Sequence, residues 1–244
     1  MKYSKYWLVI FFVNFCISIF SNELEENLLD IESDSIFVSL GSHCEVAVFL
    51  NEHQLRTRAF PFDWLLSSSH DQFISLLDDD FQHLLDERYF FQNPDHHHVI
   101  ENYYYEIEFR HDWPFSDLIT NSARYSDQVE QMQAKYQRRI ERFRQLRYFT
   151  NKVFFIRVAF EYLNEPNPFW KQEGIERITI DQAKEIKEAL DRYFPNLNFI
   201  LVIINYQEEY TPVISGIEKV IEYKIRKTKK HADYAKLFKM LDFR

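Results

Sequence analysis

Glycine is scarce in this chain of 244 residues: only Gly41, Gly174 and Gly216 occur, far apart. A GxGxxG dinucleotide turn and a GxxxxGKS/T phosphate loop both need clustered glycines, so both are excluded. Collagen-like and glycine-linker architectures are excluded with them, and so are repeat arrays. Cysteine is scarcer still, with Cys16 and Cys44 alone. Positive charge is also in deficit, 29 Lys and Arg against 38 Asp and Glu, for a formal charge of -9. Phosphate backbones and anionic membrane surfaces repel such a chain, which argues against nucleic acid as a partner. A Gly-x-Ser-x-Gly nucleophile elbow is missing as well.

What the chain has in quantity is apolar and aromatic mass, 46% and 18% of its residues, including 24 Phe and 15 Tyr. That is ample for one buried core and inconsistent with a disordered chain. Residues 1–21 read as a signal peptide: Lys2 and Lys5, then a nearly continuous apolar run from Trp7 to Phe20, then the small Ser21 and the polar stretch Asn22–Glu26. About fifteen apolar residues fall short of the roughly 20 needed to span a bilayer, so export with no stable span after signal removal is expected. Residues 22–34 read as a polar lead-in, and residues 35–244 as a single domain. Loss of Cys16 with the signal leaves Cys44 alone. An odd cysteine in an exported chain suggests a reactive thiol or an intermolecular bridge, and the alternative is a small buried apolar residue.

Ser35–Leu40 is an apolar run ending at Gly41, the pattern of a buried strand. Ser42-His43-Cys44-Glu45 follows, with apolar positions at Val46, Ala47, Phe49 and Leu50. This predicts a capping box, Ser42 at the N-cap and Glu45 three residues on, and places Cys44 in a first helical turn. Pro61-Phe62-Asp63-Trp64 interrupts the pattern, and Asp71–Leu85 resumes it as a helix. Ile100–His111 alternates with period two, a half-buried strand with Tyr103, Tyr105, Ile107 and Phe109 on one face. Helical spacing returns over Ser126–Leu146. Val153–Phe160 and Phe199–Ile204 are apolar runs, the first broken by Arg157. Between them Thr179-Ile180-Asp181-Gln182 opens a second capping-box helix. Ile221, Tyr223 and Ile225 alternate as an edge strand, and Tyr234–Leu241 closes as a helix. Strands apolar on both faces, separated by amphipathic helices, predict an α/β layered domain with a mainly parallel central sheet flanked by helices.

Cys44 is the first candidate for chemistry. A helix N-terminus offers partial positive charge and unsatisfied N–H groups, which lower a thiol's pKa and can hold an oxyanion. A thiol nucleophile needs a base, and the base an orienter. His43 precedes Cys44 in the same turn and points about 100° away. His111 continues the phase of Ile107 and Phe109, so its ring is expected to face inward, with Asp112 on the opposite side. The orienting carboxylate must then come from elsewhere in the chain, and Asp63, in its proline turn, is the candidate chosen for His111. Ser42, Glu45 and Arg157 are candidate substrate-binding residues, since a charge inside an apolar strand needs a partner or lines a pocket. The structural alternatives are a core histidine at 111 and a turn-capping carboxylate at 63. His96–His98 reads as a solvated loop, because chain neighbours cannot all reach one ion and no second cluster has ligand spacing. Neither a metal nor a cofactor is expected. The basic run Lys224–Lys230 reads as a solvated segment.

Phe37-Val38-Ser39-Leu40-Gly41-Ser42-His43-Cys44, then Pro61-Phe62-Asp63-Trp64, then His111-Asp112-Trp113 resemble a bacterial family of unknown function labelled as papain-like cysteine peptidases. Tyr136–Phe143 and Phe155-Ile156-Arg157 are similar to it too, so that the resemblance covers nearly all of residues 36–205. It implies Cys44 as nucleophile and His111 as base, acting on a peptide or other acyl substrate. It also implies a papain-like α+β fold, with a helical half and an antiparallel half, as the alternative to the α/β layers. Two other readings stand beside an exported thiol hydrolase: a binding module built on Tyr103–Tyr105, and a glycan-related enzyme with Arg157 and Asp63 in a polar pocket.

Overall fold

The computed structural model describes residues 34–67, 69–92, 99–109, 111–112, 122–159, 177–206, 213–214 and 216–242. The signal and lead-in expectations and His96–His98 lie outside these residues. Among them, no helix is long and apolar enough to cross a membrane.

The runs that read as buried strands pair side by side. β1 (Ser35–Ser39), β5 (Lys152–Val158), β6 (Phe199–Tyr206) and β8 (Val220–Ile225) are neighbours in that order, all parallel. β7 (Val213–Ile214) adds antiparallel to β8. Side chains alternate between two apolar layers, as a pleated strand requires. Val38, Phe155, Leu201 and Val220 enter one layer, while Phe37, Phe154, Val202 and Tyr223 enter the other. Helix α1 (Glu45–Glu52) and helix α5 (Lys230–Asp242) cover the second face, with Phe49 stacked on Tyr234 at 4.1 Å. The first face is covered by α2 (His70–Asp78), α3 (Ser122–Gln145) and α4 (Ile180–Tyr193), together with a small antiparallel sheet. That sheet orders β2 (Phe90–Gln92), β3 (Ile100–Asn102) and β4 (Ile107–Phe109). The architecture is therefore the α/β layered domain, and the papain-like α+β division is not what these residues form.

Local departures from the sequence reading have identifiable causes. Within the Ile100–His111 expectation, Ile100–Phe109 is a hairpin rather than one strand. Asn102 Oδ1 accepts the N–H groups of Tyr104 and Tyr105 at 3.0 and 3.2 Å, and Glu106 turns left-handed at φ 54°. The helix expected over Asp71–Leu85 stops at Asp78, because Asp80 and Phe81 have φ of 54° and 63°. Its start is as the local rules dictate, with Ser69 and Gln72 forming a reciprocal capping box. The strand at 220–225 is not an edge, since β7 pairs along it.

Candidate active site at the carboxyl end of β1

In parallel α/β sheets, sites form where strands deliver their carboxyl ends to loops and helix N-termini. β1 does so with an abrupt reversal. The Leu40 N–H still donates to the Ile156 carbonyl at 2.8 Å, after which Gly41 and Ser42 are both left-handed, at φ 75° and 74°. Gly41 has to be glycine: a Cβ there would lie 3.1 Å from the Phe62 carbonyl oxygen. Cys44 is then the N-cap of α1, half-buried and outside any disulfide, its carbonyl accepting the Val48 N–H at 3.0 Å.

The capping box expected from Ser42 and Glu45 does not form. Cys44, not Ser42, precedes the helix, and no side chain caps it. Glu45 is held elsewhere: Oε1 accepts from the hydroxyls of Tyr206 and Tyr234, both at 3.0 Å, and Oε2 meets Lys230 Nζ at 2.5 Å. Burial and the neighbouring Glu45 charge push the Tyr234 phenol well above its ordinary value, so it stays a donor. The negative charge beside Cys44 is thereby countered, which removes one obstacle to a thiolate. His43 turns toward the same cluster, with Nε2 3.4 Å from Tyr206 Oη and 3.9 Å from Glu45 Oε2.

Three separate stretches converge on this turn. The proline turn Pro61–Trp64 packs against Gly41 through Phe62. The Ser42 carbonyl accepts the Ser67 N–H at 3.0 Å, and Leu66 exchanges two backbone hydrogen bonds with Glu108 of β4, at 3.0 and 3.1 Å. Trp64 meets the His111 ring edge-on at 5.0 Å. His111 is exposed, not inward as the strand phase predicted, because β4 ends at Phe109 and the phase is lost. Asp112 is the buried one, taking the Tyr136 hydroxyl at 2.9 Å and Lys135 on its other oxygen.

Asp63 is 2% exposed, and its Oδ2 accepts Arg56 Nη2 at 2.6 Å, Arg56 Nε at 3.0 Å and the Phe60 N–H at 3.1 Å. Burial raises its carboxyl above the ordinary value, against the pull of Arg56. The link from Asp63 to His111 is indirect: Arg56 lies 5.5 Å over the Trp64 ring that packs on the imidazole. Arg157 is buried, and its guanidinium ties the same region together. Nη1 donates to the Leu40 carbonyl at 2.8 Å, and Nη2 donates to the Ser69 and Ser67 carbonyls at 2.8 and 3.3 Å. Both Asp63 and Arg157 thus bond to the protein's own groups, and these contacts give the glycan-enzyme reading no support.

Arg56, Tyr206, Tyr234 and Lys230 were not singled out by the sequence. Tyr206 carries a usable signal, since it lies two residues beyond the apolar run Phe199–Ile204, at the carboxyl end of β6. Lys230 sits in the run read as solvated, and Arg56 has no local signature.

The chain belongs to the family described as "Putative papain-like cysteine peptidase (DUF1796)", which matches residues 35–209. It is also similar to the uncharacterised protein R408 of Acanthamoeba polyphaga mimivirus, 25% identical over 206 residues, covering 78% of this chain and 86% of that one. That relative is viral, so the bacterial label suggested by the sequence is not supported. No solved structure matches the chain.

Proposed function

We propose that this protein is a thiol hydrolase acting by acyl transfer, most simply a cysteine peptidase. The observation that carries the reading is the packing of the Pro61–Trp64 turn against the Gly41–Cys44 reversal through Phe62, with Trp64 of the same turn meeting the His111 ring at 5.0 Å. Cys44 is the nucleophile and His111 carries the proton. Asp63 acts as a positioning residue, through Arg56 and Trp64, instead of bonding the imidazole. The first-turn N–H groups of α1, which have no intrahelical acceptors, are available to a developing oxyanion. Family membership supports peptidase chemistry, and the apolar run Trp7–Phe20 supports export.

The test is a mass-spectrometric search for an acetyl thioester on Cys44 after brief exposure to p-nitrophenyl acetate. The reading expects acetylation at Cys44 that vanishes in His111→Ala at neutral pH, and an unmodified Cys44 would end it. A second reading has one observation in its favour: Tyr103 and Tyr104 are 58% and 49% exposed and pack with Tyr89 and His83 into an aromatic platform. A binding module of that kind would retain its ligand when Cys44 is replaced.

A further inference from the structure

The turn between β1 and α1 contains a residue that its surroundings leave unsatisfied. Ser42 is 1% exposed, and its Oγ is buried without a hydrogen-bond partner among the described residues. Its N–H makes no hydrogen bond among them either, and only its carbonyl is engaged, by Ser67. A left-handed backbone disfavours a residue with a Cβ, and an orphaned buried hydroxyl destabilises a fold. Alanine would occupy nearly the same space without the second penalty. Packing therefore gives no reason for serine at this position, two residues before the half-buried thiol at the helix N-terminus. Unrelieved local conflicts of this kind concentrate where a site needs them.

We infer that Ser42 is a catalytic residue, the side-chain donor to the oxyanion, a role that rests on the thiol-hydrolase reading above. The Cys44 thiolate adds to the substrate carbonyl carbon, forming the C–S bond while the carbonyl π electrons move onto oxygen. The Ser42 hydroxyl and N–H donate to that oxygen, beside the first-turn N–H groups of α1. The oxyanion then collapses, the bond to the leaving group breaks, and His111 delivers the leaving group's proton. Water hydrolyses the thioester and restores the thiol. Rotation about Cα–Cβ moves a serine hydroxyl between staggered positions, so an oxygen enclosed in the resting turn can swing to meet the intermediate. Being unpartnered, it breaks no hydrogen bond in doing so. The Ser67 and Arg157 bonds meanwhile hold the backbone in place.

The experiment compares wild type, Ser42→Ala and Ser42→Gly in full-length protein by three measurements: acetylation of Cys44 by p-nitrophenyl acetate, alkylation of Cys44 by iodoacetamide, and melting temperature. Loss of one oxyanion donor slows acetylation by about 100-fold. Alkylation develops no oxyanion and keeps its rate, and the melting temperature holds or rises because an unsatisfied hydroxyl is gone. Ser42→Gly also relieves the left-handed backbone, so it guards against a variant that fails to fold. Acetylation at the wild-type rate in both variants overturns the role of Ser42 while leaving Cys44 as nucleophile. A fall in melting temperature with parallel losses of acetylation and alkylation also overturns it, marking Ser42 as structural. Wild-type protein that is not acetylated at Cys44 overturns the thiol-hydrolase reading itself, and this one with it.

Discussion

Two helix starts in this molecule share one sequence pattern and meet opposite fates. At α4, Thr179 Oγ1 accepts the Gln182 N–H at 3.2 Å and Gln182 Oε1 accepts the Thr179 N–H at 2.8 Å, a closed capping box. At α1, Ser42-x-x-Glu45 offers the same groups, yet Ser42 is left-handed with an orphaned hydroxyl and Glu45 is drawn to Tyr206, Tyr234 and Lys230. The difference is one of location. The α4 start is exposed at Thr179 and Ile180, and its two capping side chains bond each other. The α1 start lies at the carboxyl end of β1, where the Gly41–Ser42 reversal and three long-range partners override it. A motif satisfied locally marks scaffold, and the same motif held open marks a functional or strained site.

The sharpest way to break this contrast is at the open end. Cys44→Ser and His111→Ala should each reduce thiol-dependent ester hydrolysis to background, the double variant being scarcely worse, because residues acting as a unit are strongly non-additive. Melting temperatures should hardly move, since Cys44 is half-buried and His111 exposed. Additive losses would divide the pair. Next in size is Arg157→Met, which strands the carbonyls of Leu40, Ser67 and Ser69 and should cost about 3 kcal/mol at constant m-value in urea unfolding. Arg157→Lys should recover only part of that, lacking the planar fork.

At the closed end, Thr179→Ala should cost about 1 kcal/mol and leave hydrolysis untouched. Set beside Ser42→Ala, which should cost no stability, it separates the closed motif from the open one. The smallest effect lies at the start of α5, where Asp233 accepts the Arg226 backbone N–H at 3.0 Å and the Arg226 Nε at 2.9 Å. The Arg226 hydrogen bonds hold this carboxyl below its ordinary value. Its contribution is therefore complete above the unfolded aspartate value of about 4 and is lost as pH falls through the lower folded value. Acid titrations of stability for wild type and Asp233→Asn should converge below that window, and parallel curves would assign the acid limb to other groups.

The layered fold was legible because continuous apolar runs such as Phe199–Ile204, short and rich in β-branched residues, suit strands buried on both faces better than helices. The small sheet was less so. Its four-residue loop Tyr103–Glu106 shifts the inward face from even positions (Ile100, Asn102) to odd ones (Ile107, Phe109), a switch concealed by the three intervening tyrosines, which read as apolar at either parity. The one available signal was Asn102, whose side chain closes that loop. Cys44 stood out from its place between a strand and a helix. The inward-facing expectation for His111 failed because it extrapolated a strand two residues past its end. Arg56 and the Glu45 partners were invisible for a different reason: Tyr206 and Tyr234 lie 161 and 189 residues away in sequence, and no local pattern encodes such contacts.

The pairing of β1 bears on how the chain assembles. Among the described residues its partner strand is β5, and the Arg157–Leu40 bond that secures the junction closes a separation of 117 residues. Helices α1, α2 and α3 and the small sheet all lie within that span. Closing so long a loop is entropically expensive, and topologies built on such distant pairings fold slowly. The reversal that carries the thiol is therefore completed late in folding, after most helices have had time to form. Until then Cys44 belongs to an unpaired segment open to oxidants, so refolding yield should rise with added reductant.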